Sequence, residues 1–126
     1  MKTIATILLG AFLSACSLHA AEGDSKSRLV QNLEAGKKQT LVTFGTSLTA
    51  VGAWVDQLRA VLDQQFPGQA TVINGAQGGA NSDWGRESLD ERVLAHKPDT
   101  VLIEFSVNDA NARRNTSVEH AKENLE

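Results

Sequence analysis

The sequence is short of cysteine, of histidine and of positive charge. A single cysteine among 126 residues means that no disulfide can form within the chain. The formal net charge of −3 provides no basic surface for nucleic acid and no strong field for steering ligands. The one cysteine and three histidines form no cluster with metal-ligand spacing. We therefore predict a protein that uses no metal or cofactor and does not bind nucleic acid.

Long apolar runs are also absent. The apolar segment at residues 4–15 is too short to span a bilayer as a helix. It follows a positively charged start and is typical of an export signal, which we assign to residues 1–20. The segment ends in the string LSAC, where Cys16 resembles the lipidated cysteine of bacterial lipoproteins. Cleavage near residues 20–21 without lipidation is the alternative. We expect an exported protein that is periplasmic, extracellular or held on a membrane through a lipidated Cys16.

After the signal, the sequence passes from a weakly patterned stretch to alternating strand and helix patterns. We interpret the polar residues 21–38 as a linker with a short helical lead-in, and residues 39–126 as the domain. Short β-branched runs predict strands, and apolar residues at helical spacing predict helices between them. The predicted strands are residues 40–44, 70–74 and 100–105, and the predicted helices are residues 53–66, 82–95 and 116–126.

Strands that alternate with helices indicate an α/β fold with a parallel sheet and right-handed crossovers. We predict a three-layer, flavodoxin-like architecture in which helices flank the sheet. In such sheets, ligands bind at the carboxyl ends of the strands. Three loops lie at that edge, at residues 45–52, 75–81 and 106–115.

The first loop carries a candidate nucleophile, Ser47. A serine hydroxyl at this edge can attack a bound ester if a base removes its proton. A serine that caps a helix or closes a turn is the alternative, and position alone favours it.

The other two loops offer hydrogen-bond donors. Gly78 and Gly79 allow backbone N–H groups to approach an anion, although a flexible turn has the same pattern. Asn108 offers a side-chain amide to a developing negative charge, with an Asx turn as the alternative. Ser47, Gly79 and Asn108 together supply the parts of a nucleophile with an oxyanion hole. For these groups to meet, strand one must lie beside strand three.

These residues carry a resemblance to the SGNH, or GDSL-type, serine hydrolases. The string GTSL at residues 45–48 is similar to the first family motif, Gly-Asp-Ser-Leu, and SVND at residues 106–109 is similar to the third, Gly-x-Asn-Asp. The glycine of the second motif matches Gly79. The resemblance covers residues 41–109. It implies that Ser47 is the nucleophile of an ester hydrolase that forms an acyl-serine intermediate. It also implies an oxyanion hole built from the Ser47 and Gly79 N–H groups and the Asn108 side chain.

The chain departs from the family pattern in three ways. Thr46 replaces the usual acid, Ser106 replaces a glycine, and the fourth motif, Asp-x-x-His, which carries the base, is missing. We therefore expect a C-terminally incomplete domain, and a 126-residue chain that is close to inactive. His96 precedes strand three, at the opposite sheet edge from Ser47, and His120 lies on a helix that leads away from the site. Neither histidine is expected to be the base.

The preferred hypothesis is an exported serine hydrolase that acts on esters of small acyl groups or of carbohydrates. A module on the same fold that binds a sugar or an anion without turnover is the alternative. A flavodoxin-like phosphate or nucleotide binder is a weaker third hypothesis, because the first loop lacks the glycine spacing of a phosphate cradle. Glu104, inside strand three, needs a hydrogen-bond partner if it is buried. Arg113 and Arg114 are expected to be solvated rather than to bind a substrate anion.

Overall fold

The computed structural model of the protein describes residues 26–126. The predicted export signal, Cys16 and residues 21–25 lie outside the described residues. The strands are β1 (Gln39–Gly45), β2 (Ala70–Asn74) and β3 (Thr100–Glu104). The helices are α1 (Arg28–Glu34), α2 (Ser47–Ala50), α3 (Ala53–Gln65), α4 (Ser82–Arg92), α5 (Ser106–Asp109) and α6 (Val118–Leu125), with 3₁₀ turns at Leu94–His96 and Ala112–Arg114. Among these described helices, none has the length and apolar character needed to cross a bilayer.

The three strands form a parallel sheet in the order β2-β1-β3. The predicted α/β class and the predicted adjacency of the first and third strands are therefore confirmed. In the central strand, Leu41 pairs with Val72 on one side and with Thr100 on the other. Every residue from Leu41 to Gly45 is buried, as expected for a strand that is covered on both faces of the sheet.

Helices cover both faces of the sheet, and each face has its own hydrophobic cluster. Because successive strand residues point to opposite faces, Leu41 and Val42 belong to different clusters. The cluster on the α1 and α3 side contains Leu33, Leu41, Val55, Leu62 and Val72. The cluster on the α4 side contains Val42, Phe44, Ala80, Val93 and Phe105. Full burial of one such large side chain stabilises the fold by about 1.5–3 kcal/mol.

Helix α1 lies within the segment predicted to be a linker with a helical lead-in. Its N-cap is Ser27, whose side chain accepts a hydrogen bond from the N–H of Val30. Leu29 and Leu33 are four residues apart, so they share one face of the helix, and Leu33 is completely buried. The described part of this segment thus packs against the sheet. The division of the chain into signal, linker and domain stays a prediction.

Predicted and observed bounds differ mainly where the chain leaves a regular element. The helix predicted at residues 82–95 ends at Arg92 and continues only as a 3₁₀ turn. The predicted loop at residues 106–115 contains helix α5 and a second 3₁₀ turn. Helix α6 begins at Val118, and its N-cap is Ser117, whose side chain accepts a hydrogen bond from the N–H of His120.

Candidate active site

Backbone hydrogen bonds tie together the three loops at the carboxyl edge of the sheet. Gln77 in the second loop donates its N–H to the carbonyl of Gly45 at 3.0 Å. Thr46 in the first loop donates its N–H to the carbonyl of Glu104, at the end of β3, at 3.1 Å. No side chain fits at Gly45, because an added Cβ would overlap that Glu104 carbonyl oxygen. The first loop is therefore held between the other two.

Ser47 is the first residue of α2, and its side chain is exposed. The N-cap of this helix is Thr46, whose hydroxyl oxygen accepts a hydrogen bond from the N–H of Leu48 at 3.2 Å. The capping role that could have explained a serine here thus belongs to Thr46. Neither the hydroxyl nor the N–H of Ser47 is hydrogen-bonded to another residue of the range 26–126. Both groups are free to meet a ligand.

The turn before Ser47 is braced by a contact between Thr46 and Glu104. The Thr46 hydroxyl donates to Oε2 of Glu104 at 2.7 Å while it caps α2. Thr46 is 1% exposed. The second carboxylate oxygen of Glu104, Oε1, is buried and has no hydrogen-bond partner within the part of the chain that is described. Thr46, which stands where the SGNH pattern has an acid, supplies a hydrogen-bond partner for the half-buried Glu104 carboxylate.

In the second loop, Gly79 presents a free N–H group. Its φ of +76° lies in the left-handed region, where glycine is favoured because a side chain would be strained. The N–H has no hydrogen-bond acceptor among the described residues, whereas the carbonyl accepts a hydrogen bond from Nη2 of Arg114 at 2.6 Å. The Gly79–Ala80 peptide is thus held at its carbonyl, and the N–H of Gly79, which belongs to the preceding peptide, is open to an anionic ligand.

Asn108 lies within helix α5, not in an Asx turn that ends the strand. Its Nδ2 donates to the carbonyl of Ala80 at 2.5 Å, which places the amide beside the glycine loop. The second amide hydrogen has no acceptor in the described part of the chain. The next residue, Asp109, is buried and accepts a hydrogen bond from the N–H of Ser82 at 2.9 Å. Asn108 and Asp109 therefore fix the end of the glycine loop to the segment after β3.

The described histidines are not bonded to Ser47. His96 ends the 3₁₀ turn before β3, at the opposite edge of the sheet, as predicted. His120 on α6 is half exposed, and its Nε2 lies 2.6 Å from Oδ1 of Asp83 on α4. The pKa of Asp83 is lowered, chiefly by the hydrogen bond from Asn124 and next by the hydrogen bond with His120. His120 thus connects helices α4 and α6.

Residues 26–126 contain no group of three Asp, Glu, His or Cys side chains placed to hold a metal.

Sequence reasoning missed Arg114 as a residue of the candidate site. Arg113 and Arg114 are both exposed, in agreement with a solvated loop. The Arg114 guanidinium is nevertheless bonded to Gly79, while the Arg113 side chain makes no hydrogen bond within the described residues. Two adjacent arginines in a loop carry no periodic signal, so the sequence pattern could not separate their roles.

The chain is similar to several solved hydrolase structures. The lipase/acylhydrolase from Enterococcus faecalis shares 33% identity with a TM-score of 0.63, over 69% of this chain and 48% of that protein. A two-domain esterase (CEX) active on acetylated mannans shares 30% identity with a TM-score of 0.61, over 76% of this chain and 26% of that protein. TesA shares 29% identity with a TM-score of 0.60, over 69% of this chain and 50% of that protein.

The family comparison covers the candidate site. The chain spans about half the length of two of these solved proteins and about a quarter of the third. A search of curated protein sequences found no match. Residues 42–126 match the GDSL-like lipase/acylhydrolase family, and that match includes Ser47, Gly79 and Asn108. Since it also covers most of the sheet and its flanking helices, the chain belongs to the GDSL-like lipase/acylhydrolase family.

Proposed function

We propose that this chain carries the nucleophile and the oxyanion hole of an ester hydrolase. In this reaction the Ser47 hydroxyl oxygen attacks the acyl carbon of the ester, and its proton passes to a base. The alcohol leaves, and water then releases the acid from the acyl-serine. The negative charge that develops on the acyl oxygen is stabilised by the N–H groups of Ser47 and Gly79 and by the Asn108 amide.

The observation that carries this proposal is the pair of unused N–H groups at Ser47 and Gly79. Neither has an acceptor among the described residues, although the loops around them are tied by hydrogen bonds. The Asn108 amide is fixed to the same loop and keeps one hydrogen free. Donors that are held in place before the substrate arrives are what the tetrahedral intermediate of acyl transfer needs.

The base must lie within about 3 Å of the Ser47 hydroxyl, or act through one water. Among the described histidines, His96 lies at the wrong edge of the sheet and His120 is bonded to Asp83. We propose that neither is the base, and that the 126-residue chain alone is close to inactive.

For the substrate, we propose esters of small acyl groups, on carbohydrates or on other small alcohols. One similar structure is that of an esterase active on acetylated mannans. In this chain, an apolar groove of about 490 Å³ runs between β3 and α6, but Ser47 is not among the residues that line it. An exposed serine outside that groove is better suited to a short acyl group than to a long one.

The test uses a chromogenic acetate and a fluorophosphonate that reacts with activated serines. Both are applied to the 126-residue chain, to the protein translated from its complete reading frame, and to the Ser47→Ala variant of each. We expect the complete protein to hydrolyse the acetate and to be labelled at Ser47. If the Ser47→Ala variant still hydrolyses the acetate or is still labelled, the proposal is wrong.

A binding module on the same fold is the second candidate function. It is favoured by the absence of any hydrogen bond between Ser47 and a described histidine. This alternative predicts that the complete protein binds a sugar or an anion, that it gives no hydrolysis, and that the phosphonate leaves Ser47 unlabelled.

We also propose, from the sequence of residues 1–20 alone, that the protein is exported. Cell fractionation locates the mature protein. Labelling with a radioactive fatty acid, which Cys16→Ser should abolish, separates lipidation from simple cleavage.

A further inference from the structure

We propose that Leu48, Val51 and Trp54 form an apolar patch that binds the alcohol part of the ester, and that this alcohol is a pyranose sugar. The inference rests on the proposed function, because it takes Ser47 as the nucleophile and a small acyl group as its target. Leu48 is 52% exposed, Val51 85% and Trp54 36%, so none of them belongs to either hydrophobic cluster. Since Leu48 directly follows Ser47 in α2, the patch begins beside the proposed nucleophile.

Hydrogen bonds hold the three patch residues close together around Ser47. The Val51 N–H donates to the Ser47 carbonyl at 3.1 Å. The Trp54 indole N–H donates to the Leu48 carbonyl at 3.0 Å. Gly52 leaves room for this contact, because a Cβ there would overlap the Leu48 carbonyl oxygen and lie 3.0 Å from Cδ1 of Trp54. The indole is therefore fixed at its pyrrole edge, which lowers the entropy that binding would cost.

Helix α2, which carries the first part of the patch, is anchored to the sheet. Thr49 is buried, and Nδ2 of Asn74 at the end of β2 donates to the Thr49 carbonyl at 3.0 Å and to the Ala50 carbonyl at 3.3 Å. The patch is thus exposed to solvent on a helix that is itself held in place. Apolar side chains scattered singly on a surface need no explanation, whereas a contiguous exposed group beside a site indicates a binding surface.

The patch and the oxyanion donors lead to opposite faces of the sheet. Trp54 lies on α3, whose Val55 packs in the cluster on the α1 and α3 side. Ala80 of the glycine loop packs in the cluster on the α4 side, and its carbonyl accepts the hydrogen bond from Asn108. Ser47 follows β1, the central strand, between these two groups.

This arrangement separates the parts of a bound ester. When the acyl oxygen lies among the oxyanion donors, the other substituents of the acyl carbon lead away from them, and the patch stands on that side of Ser47. Because the proposed acyl group is small, the alcohol is the part large enough to cover the patch. A pyranose carries hydroxyl groups around its edge and C–H groups on its faces, which suit the electron-rich face of an indole.

The kinetic test compares two neutral esters, the acetate of a methyl pyranoside and ethyl acetate, in the protein translated from the complete reading frame. Trp54→Ala should lower kcat/KM about tenfold for the pyranoside ester, as expected for the loss of one ring contact, and much less for ethyl acetate. Most of this loss should be a rise in KM, because the contact is made in the ground state as well as in the transition state. Val51→Ala removes two methyl groups and should lower kcat/KM for the pyranoside ester about threefold.

Two further variants test whether the effect belongs to the patch. Val61 is an exposed valine two turns further along α3, and Val61→Ala should match the unmutated protein with both esters. Trp54→Phe keeps a ring but loses the N–H that fixes it, so it should lie between Trp54→Ala and the unmutated protein. If Trp54→Ala does not fold, Trp54→Phe and Val51→Ala decide the question. Equal losses for the two esters would mean that these residues support the fold and do not bind the alcohol.

A second measurement does not depend on turnover. The sequence has two tryptophans, and Trp84 packs with Phe44 and Phe105 on the α4 side, so it serves as an internal control. In ¹⁵N-labelled Ser47→Ala protein, the acetylated pyranoside should shift the indole N–H resonance of Trp54 and leave that of Trp84 in place. An inactive complete protein, or an active Ser47→Ala variant, would remove the proposed function. In contrast, a Trp54 resonance that the pyranoside ester does not shift would overturn the role of the patch, whether or not the protein turns over ester.

Discussion

The Thr46 hydroxyl donates a hydrogen bond to the Glu104 carboxylate, 2.7 Å away, directly beside Ser47. In the motif that this chain resembles, an acid stands at the position of Thr46. Next to Glu104, a second carboxylate would meet a like charge where the chain now has a hydrogen bond. The threonine is therefore matched to Glu104, and the two residues have to be considered as a pair.

The first prediction is that restoration of the family acid destabilises this chain. Thr46→Asp replaces the hydrogen bond to Glu104 with charge repulsion, and we expect the free energy of unfolding to fall by about 1–3 kcal/mol. Thr46→Ser keeps the hydroxyl and should change little. Thr46→Asp combined with Glu104→Gln should recover stability, since an amide can donate to the new carboxylate. Urea unfolding at neutral pH measures all three, and a Thr46→Asp variant as stable as Thr46→Ser would show that the contact contributes nothing.

Ser47→Ala should lower activity without lowering stability, whereas Asn108→Ala should lower both. Ser47→Ala should abolish ester hydrolysis by the complete protein but change the free energy of unfolding by less than about 0.5 kcal/mol, because the hydroxyl has no partner in the described chain. Asn108→Ala should lower turnover by roughly 10²- to 10³-fold, as expected for one oxyanion donor. It should also destabilise the fold by about 1 kcal/mol, through loss of the bond to Ala80. His96→Ala is the control, and we expect it to leave turnover nearly unchanged.

The sheet could be predicted from the sequence because its signals are local. β-branched runs mark the strands, and the apolar spacing at Leu58 and Leu62 marks the helix between β1 and β2. Once the strands are parallel, their carboxyl ends must share an edge. Ser47 and Asn108 were therefore predicted at the same edge from topology, without knowledge of any contact.

The contacts that shape the site could not be predicted in this way. The partners Thr46 and Glu104 are 58 residues apart, and Gly79 and Arg114 are 35 residues apart. No periodic pattern connects such residues, because each pair depends on how the loops cross at the sheet edge. The packing of helix α1 against the sheet was similarly difficult to predict, since Leu33 lies in a polar segment. Only the burial of Leu33 against the sheet reveals that this residue belongs to the core.

Gly79 and Gly78 should respond differently to alanine. Gly79 has a φ of +76°, so Gly79→Ala should cost about 1–2 kcal/mol of stability from backbone strain alone, as an added Cβ has room. Gly78 is not in the left-handed region, and its Cβ would also have room, so Gly78→Ala should cost less. Thermal unfolding of the two variants provides the comparison. Equal losses would mean that the left-handed backbone at Gly79 is not what restricts this position.

The hydrogen bonds of Asp83 predict a pH dependence of stability. Asn124 and His120 favour the ionised form and lower the pKa of Asp83, so this group stabilises the fold above its unfolded pKa of about 3.9. That contribution is lost as the pH falls through the lower, folded-state pKa. We therefore expect Asp83→Asn to be less stable than the unmutated chain at pH 7, with a gap that narrows and closes in acid. Asp90 is an exposed acid on the same helix, and Asp90→Asn should show no such pH-dependent loss of stability. A stability difference between Asp83→Asn and the unmutated chain that does not change with pH would contradict this account.

The exposed edge of the sheet should make the 126-residue chain associate with itself. Within residues 26–126, β3 pairs only with β1, and Leu102 and Ile103 are 41% and 49% exposed. Since neighbouring strand residues point to opposite faces, this strand exposes apolar surface on both faces beside an unpaired backbone edge. Such an edge is a template for pairing with another strand, and a lysine on it opposes that pairing. Ile103→Lys should therefore reduce the sedimenting mass at high protein concentration, whereas Thr71→Lys, which adds the same charge on the β2 edge, should not. If the chain sediments as a monomer at every concentration, β3 is not the surface through which copies meet. The same conclusion follows if Thr71→Lys dissociates the assembly as well as Ile103→Lys does.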